Sequence, residues 1–421
     1  MDKVLRARAK KAKLSLLDFI LKRFDALEKE TGVKRTLFAA CPNSIDVLKA
    51  ALLAAKRCNA PIKFAATLNQ VDTDGGYTGF TAKEFVDTIR EEARIINYTG
   101  PVIVAIDHGG PWLKDKHRID NLSYEETMSE VKNSFEKAMD AGYDMIHVDP
   151  TIDFTLPKAV SIDIEVVAKR TIELITHCEG YRKAKAYEKI AYEVGTEEVH
   201  GGLADMKVFK RFMELLKEGL TKNNLGDIWP CFVVGKVGTD LHTTLFDPTV
   251  ARQLTEAAKP YGSRIKGHYS DSVDNPEEYP LSGMGAANIG PEFTEREYDG
   301  LMELVEIENS FFGQGRIAKL SGMKDRLWEA VIDSGRWVKW VNEKESPEDF
   351  YSLQEDRQLW LIKTGCRYIW ENPEVVAARS KLYHNLENHG IKPEIIVQTR
   401  IAQAMDRYFH KFNLVNVTSA L

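Results

Sequence analysis

Short apolar runs alternate with longer amphipathic stretches through the first three quarters of the chain. The runs fall at 37–41 (LFAAC), 62–66 (IKFAA), 102–106 (VIVAI), 145–148 (MIHV), 190–194 (IAYEV), 231–234 (CFVV), 264–267 (RIKG) and, more weakly, 285–289 (GAANI). Each has the length of a buried strand. The stretches between them have the period of helices and begin on recognisable caps. Ser44 caps a helix over 45–56, Thr81 caps one over 83–98, and Ser123 with Glu126 forms a capping-box pattern ahead of 128–141. Alternating strand and helix implies a parallel sheet buried on both faces. Eight such units predict an α/β fold of the TIM (β/α)8 type in preference to an open doubly wound sheet. No GxGxxG or GxxxxGK[ST] follows the first run, which weighs against a dinucleotide or P-loop site.

From about Leu301 the strand signal stops and helical patterns continue to the end, rich in large apolar residues such as Trp328, Trp337, Trp340, Trp360 and Trp370. The expected organisation is a barrel over 1–300 and a helical extension over 301–421 packed on it, since no Pro/Gly/Ser-rich linker separates them. Leu16, Leu17, Ile20, Phe24 and Leu27 recur at helical spacing and predict an N-terminal cap helix.

Composition narrows the class. An apolar fraction of 43% and a charged fraction of 29% fit a soluble globular protein, and a formal charge of -6 over 421 residues gives no footprint for nucleic acid. Nowhere do eighteen apolar residues run together, and Asp18 and Lys22 interrupt the apolar residues after the basic N-terminus. Neither a membrane span nor a signal peptide is therefore expected. Five scattered cysteines without a CxxC pair fit a reducing, cytoplasmic setting.

In such a barrel the chemistry lies at the C-terminal ends of the strands. Asn69-Gln70 and a glycine-rich loop with Gly75, Gly76 and Tyr77 follow the second run, Asp107-His108 the third and Asp149 the fourth. Glu197, Glu198 and His200 follow the fifth; Lys236, Asp240 and His242 the sixth; His268, Ser270 and Asp271 the seventh; Gly290-Pro291 the eighth. Histidines and carboxylates converging from separate strands are what a divalent metal site needs. His108 and His268, with Glu197 between them in sequence, are read as such ligands. His200 and His242 lie a few residues into loops and stay open, while His147 reads as an ordinary partner of a backbone carbonyl. Asp107 and Asp149 are candidates for acid/base work beside a metal or imidazole, against turn or cap acceptors. Strict strand geometry would point Asp107 and His108 to opposite faces, so a bend at Gly109-Gly110 is expected to bring both to the mouth. The Gly75-Gly76 loop and Gly290-Pro291 could each present amides to a phosphate, or serve only as turns.

Taken together, "LNQVDTDGGYTGFTAKEF", "IDHGGPW", "GYDMIHVDPT", "YEVGTEEVHGG" and "GHYSDSV" resemble, in this order and at these distances, the family of the non-catalytic subunit of class II tagatose-1,6-bisphosphate aldolase. Members are also labelled tagatose-6-phosphate kinases, and relatives include tagatose-6-phosphate 4-epimerases. The resemblance runs through the whole chain, including "CRYIWENPEV" in the helical part. It implies a TIM barrel in which a divalent metal, zinc before manganese, cobalt or nickel, polarises a ketose. By the resemblance Asp107 is an acid/base, His108 a metal ligand, and Glu197 and His268 further site residues; His242 matches a sixth-strand histidine with a small shift. Asn69, Gln70, Gly76, Tyr77, Lys236, Ser270, Asp271 and Gly290 are the expected substrate contacts.

The chain departs from the family at Gly109-Gly110-Pro111-Trp112, where Leu-Gly-Pro-Asn is usual, and at Asn288, where a lysine is common. The implied activity is C4 epimerisation of a ketohexose or its 6-phosphate through cleavage and re-formation of the C3–C4 bond, by a homo-oligomer. The alternative is an accessory subunit that stabilises a separate aldolase chain. A kinase finds no ATP-phosphate motif here.

Overall fold

The computed structural model describes residues 3–157, 160–196, 202–240, 244–342, 345–347 and 349–421. Eight parallel strands close into a barrel: β1 (Leu37–Ala40), β2 (Ile62–Thr67), β3 (Val102–Gly109), β4 (Met145–Val148), β5 (Ala191–Val194), β6 (Phe232–Val234), β7 (Arg264–Gly267) and β8 (Ala286–Ile289). Each strand pairs with its neighbours in sequence, and β8 returns to β1. All eight runs read from the sequence are therefore strands. A short antiparallel ribbon, Gly202–Leu203 against Val237–Gly238, joins the loops that follow β5 and β6 and lies outside the barrel sheet.

The helices start where the caps place them. Ser44 Oγ accepts the Val47 N–H ahead of helix Ile45–Cys58, and full capping boxes open Ala82–Ile95 (Thr81 with Glu84) and Tyr124–Ala141 (Ser123 with Glu126). Each satisfies two of the otherwise unpaired amides of a first turn. At the other end Asn59 and Gly142 take left-handed conformations that stop the first and third of these helices.

The helix after β8, Pro291–Gly313, runs through residue 300, so the eighth barrel helix and the start of the all-helical part are one element. Beyond it, Pro393–Lys411 packs against both Ile45–Cys58 and Pro291–Gly313. Phe38 on β1 stacks on Tyr408 at 5.7 Å between ring centroids and meets Phe409 edge-on at 5.0 Å. The last residues are tied to the first helical layer through Asn416 N–H to Cys58 O (2.9 Å) and Thr418 N–H to Asn59 O (3.0 Å).

Barrels of this kind usually fill their axis with branched apolar side chains. Here Lys63 on β2, Glu193 on β5 and Lys266 on β7 are all wholly buried. Lys266 Nζ donates to both Glu193 oxygens at 2.6 and 2.8 Å, and Lys63 Nζ reaches Glu193 Oε2 at 3.4 Å. A buried charge is tolerable only when paired, and one carboxylate between two ammoniums supplies that pairing. Burial and the neighbouring Lys266 together lower the Lys63 ammonium to about 8.

Candidate functional site

The mouth of the barrel is organised by the end of β3. The β3–β4 register slips between Ile106 and Gly109, and His108 adopts φ +47°, a left-handed conformation uncommon for a non-glycine residue. The bend that lets Asp107 and His108 serve one site is thus at His108 itself, one residue before the expected Gly109-Gly110. The two glycines have a different role, which is close approach. A Cβ on Gly109 would sit 2.4 Å from the Phe135 ring, and one on Gly110 would sit 1.9 Å from the Asp149 carbonyl.

This turn brings three imidazoles together. The His108 ring centroid lies 4.4 Å from His268 and 4.9 Å from His147. Asp107 Oδ1 is 3.3 Å from His147 Nδ1, 3.5 Å from His268 Nε2 and 3.3 Å from Lys266 Nζ, while its Oδ2 accepts the Asn288 side-chain amide at 2.8 Å. His108 Nδ1 is 2.5 Å from Asp149 Oδ2, and Thr151 Oγ donates to the other oxygen of Asp149 at 2.5 Å. Asp149 thereby orients the His108 ring and leaves its Nε2 for another partner, as a carboxylate behind a metal-binding histidine does.

Burial would raise the Asp107 carboxyl, but Lys266, then His268 and His108, outweigh it and hold that carboxyl well below the usual range. Burial takes the His268 imidazole down to about 3, so it is neutral. For His108 burial is overcome by Asp107 and by the bond to Asp149, and its imidazolium persists to about 8.

The residues present fit a divalent cation. Asp107, His108, His147 and His268 each offer one ligand atom, and these atoms lie within 4.8 Å of one another. That is the scale of a coordination shell with bonds of about 2.1 Å. His147 Nε2 and His268 Nδ1 are buried without a hydrogen-bond partner among the described residues. Charge points the same way: against the three carboxylates of Asp107, Asp149 and Glu193, the ammoniums paired with them among the described residues are Lys63 and Lys266. The excess negative charge is met by a proton on His108 or by a bound cation.

A pH dependence follows for the metal-free protein. The His108 imidazole is raised from 6.5 to about 8 on folding, so its contribution is complete below pH 6.5 and is lost as pH rises through about 8. We expect chelator-treated protein to lose on the order of 1–2 kcal/mol across that window. The check is a pair of denaturant midpoints at pH 6 and pH 9 for wild type and His108→Gln; an equal drop in both proteins would remove His108 as its source.

The other expected contacts divide between the cavity wall and the scaffold behind it. A cavity of about 190 Å³ opens over Asp107, His108 and His268 and is also lined by Asn69, Gln70, Tyr77, Asp271 and Gly290. Asn69 and Gln70 spend their amides on loop backbone: Asn69 on Leu113 O and the Asp115 N–H, Gln70 on Pro42 O and the Thr67 N–H. Tyr77 OH donates to Asn43 Oδ1 at 2.8 Å. Asp271 Oδ1 accepts the Gly290 and Glu292 N–H groups, both at 2.9 Å, and so caps helix Pro291–Gly313.

Gly76, Ser270 and Lys236 are not on the cavity wall. Gly76 has φ +54° and packs so closely on Gln70 that a Cβ would lie 2.3 Å from its carbonyl, which explains the glycine without a ligand. Ser270 Oγ is buried and accepts the Tyr279 hydroxyl. Glu197, His200 and His242 lie outside the described residues.

The structure adds residues that the sequence reading passed over. His147, set aside as a backbone partner, sits in the imidazole cluster. The charged residues of the barrel axis, Lys63, Glu193 and Lys266, lie inside the otherwise apolar runs of β2, β5 and β7. Arg336, Lys339, Trp340, Arg367 and Tyr368 reach the cavity from the helical part. A charged residue at an alternate position of an otherwise buried strand was the available signal for the axis residues.

Known structures share this architecture. A probable tagatose 6 phosphate kinase from Sinorhizobium meliloti 1021 matches with a TM-score of 0.72 at 19% identity, over 90% of this chain and 100% of that one. A fructose-bisphosphate aldolase from Campylobacter jejuni matches with a TM-score of 0.54 at 13% identity, over 95% of each chain. At these identities the likeness is one of fold. The sequence match is more specific: over residues 25–415 the chain belongs to the family described as D-tagatose-1,6-bisphosphate aldolase subunit GatZ/KbaZ-like.

Proposed function

We propose that this protein is a metal-dependent C4 epimerase of a ketohexose or ketohexose 6-phosphate, of the tagatose/fructose type, acting by retro-aldol and aldol chemistry. The observation that carries the reading is the convergence of Asp107, His108 and His268 on the mouth cavity, with His147 buried in the same cluster. His108, His147 and His268 would hold the ion, with Asp149 orienting His108. A divalent ion in that position supplies Lewis acidity toward a ketose carbonyl.

The remaining chemistry belongs to the chain. Asp107, kept ionised by Lys266 and the imidazoles, accepts the proton of the C4 hydroxyl. The C3–C4 bond then breaks, its electron pair staying with C3 while C4 becomes an aldehyde carbon. If the aldehyde turns over and C3 adds to its opposite face, Asp107 returns the proton to O4 and the C4 epimer results. The cavity walls retain the aldehyde between the two steps.

The family description names an aldolase subunit, which favours a second reading in which this chain supports a separate aldolase chain. The two separate on the purified chain. After metal analysis, it is incubated alone with fructose, tagatose and their 6-phosphates. Bound divalent metal with interconversion of a C4 pair is the expected result. Absence of both, together with rescue of an aldolase partner, would establish the accessory reading.

A further inference from the structure

The helical part contributes three cations to the mouth cavity: Arg336, Lys339 and Arg367. Arg367 is 7% exposed, and its guanidinium lies 5.1 Å from the Trp340 ring and 5.6 Å from the Tyr368 ring. Its Nε donates to the Thr364 carbonyl at 2.8 Å, yet Nη2 is buried with no hydrogen-bond partner, and no carboxylate pairs with this side chain among the described residues. A buried guanidinium without a counter-ion is costly unless an anion completes it.

Three further cations, Arg336, Lys339 and Arg118, share one acid, Asp115. Arg336 stacks on the same Tyr368 ring at 4.2 Å and meets Asp115 Oδ2 at 2.6 Å, while Lys339 Nζ is 3.0 Å from Asp115 Oδ1. Trp340 Nε1 is another buried donor without a partner among the described residues. Asp115 is thus already shared among three cations, and the open donors of Arg367 are left for the oxygens of an anion such as a phosphate monoester.

We infer that Arg367, with Arg336 and Lys339, forms the subsite for the terminal phosphate of a phosphorylated ketose. The subsite is built from the helical part and not from the loops after β7 and β8. This deepens the proposed function and rests on it for the identity of the sugar, but not for the anion site. It also accounts for Asn288: the end of β8 needs no cation, because Asn288 is committed to Asp107 and the charge arrives from outside the barrel.

The test uses inorganic phosphate on the full chain, read by calorimetric titration and independent of turnover. Wild type is expected to bind it saturably. Arg367→Met should weaken binding by roughly tenfold or more, the scale of one charge-assisted bond. Lys339→Met, at an exposed position where folding is not at risk, should weaken it less, and metal content should be unchanged in both variants. Phosphate binding that is absent in wild type, or equal in all three proteins, would overturn the assignment. Tighter binding of glucuronate than of phosphate would overturn the choice of phosphate. A chain that binds phosphate through these residues yet turns over no ketose would keep the subsite while removing the epimerase reading.

Discussion

Replacing Glu193 by leucine is expected to destabilise the protein by about 3–5 kcal/mol, the largest effect on stability we foresee for a single substitution. The carboxylate is wholly buried and is the acid shared by Lys266 and Lys63 on the barrel axis. Without it Lys63 loses its carboxylate partner in a dry interior, while Lys266 keeps Asp107 at 3.3 Å. Replacing Lys63 as well, in Glu193→Leu/Lys63→Met, should recover part of the loss, since a buried pair exchanged for apolar side chains of similar size is often near neutral. Guanidinium unfolding of the three proteins measures this. A single variant within about 1 kcal/mol of wild type would mean that the axis lysines do not depend on Glu193.

The largest effects on activity are expected at the end of β3. His108→Ala and His268→Ala should each lose bound metal and turnover while the barrel still folds. The lost groups face the cavity, and His268 is already neutral and without a partner on Nδ1. Asp107→Asn should retain metal but lower kcat by roughly 10²–10⁴-fold, the usual contribution of a positioned acid/base. Metal analysis alongside progress curves separates the two outcomes. Unchanged metal in both histidine variants would strike those residues from the ligand set. Retained turnover in Asp107→Asn would move the proton to another carboxylate.

The architecture was legible because its signals are local. Eight short apolar runs, caps at Ser44, Thr81 and Ser123, and the absence of a nucleotide loop lead to a barrel without reference to any distant contact. The site was legible only at strand ends. Asp107, His108, Asp149 and His268 stand out there, and the structure gathers them within reach of one another.

What escaped the sequence depends on long-range geometry. Strand alternation makes Asp149 the next inward position after His147, which favours a backbone partner for His147. In fact it reaches Asp107 from one layer deeper, while Asp149 turns to His108. Lys63 and Lys266 sit among apolar neighbours and acquire meaning only once β2, β5 and β7 face one axis. The placement of Arg336 and Arg367 at the mouth depends on how the helical part folds back, which no periodicity within it encodes.

The way helix Pro393–Lys411 covers β1 and Ile45–Cys58 has a consequence for the order of folding. Gln398 bonds to Asp46 across 352 residues of sequence, and Phe38 on β1 finds its ring partners at Tyr408 and Phe409. During synthesis the first strand and first barrel helix therefore leave the ribosome long before their cover exists. Contacts of such sequence separation form slowly, and the surface awaiting them is exposed meanwhile. A nascent or truncated chain that stops before residue 393 would present this apolar face to solvent, so aggregation is the expected failure of incomplete synthesis.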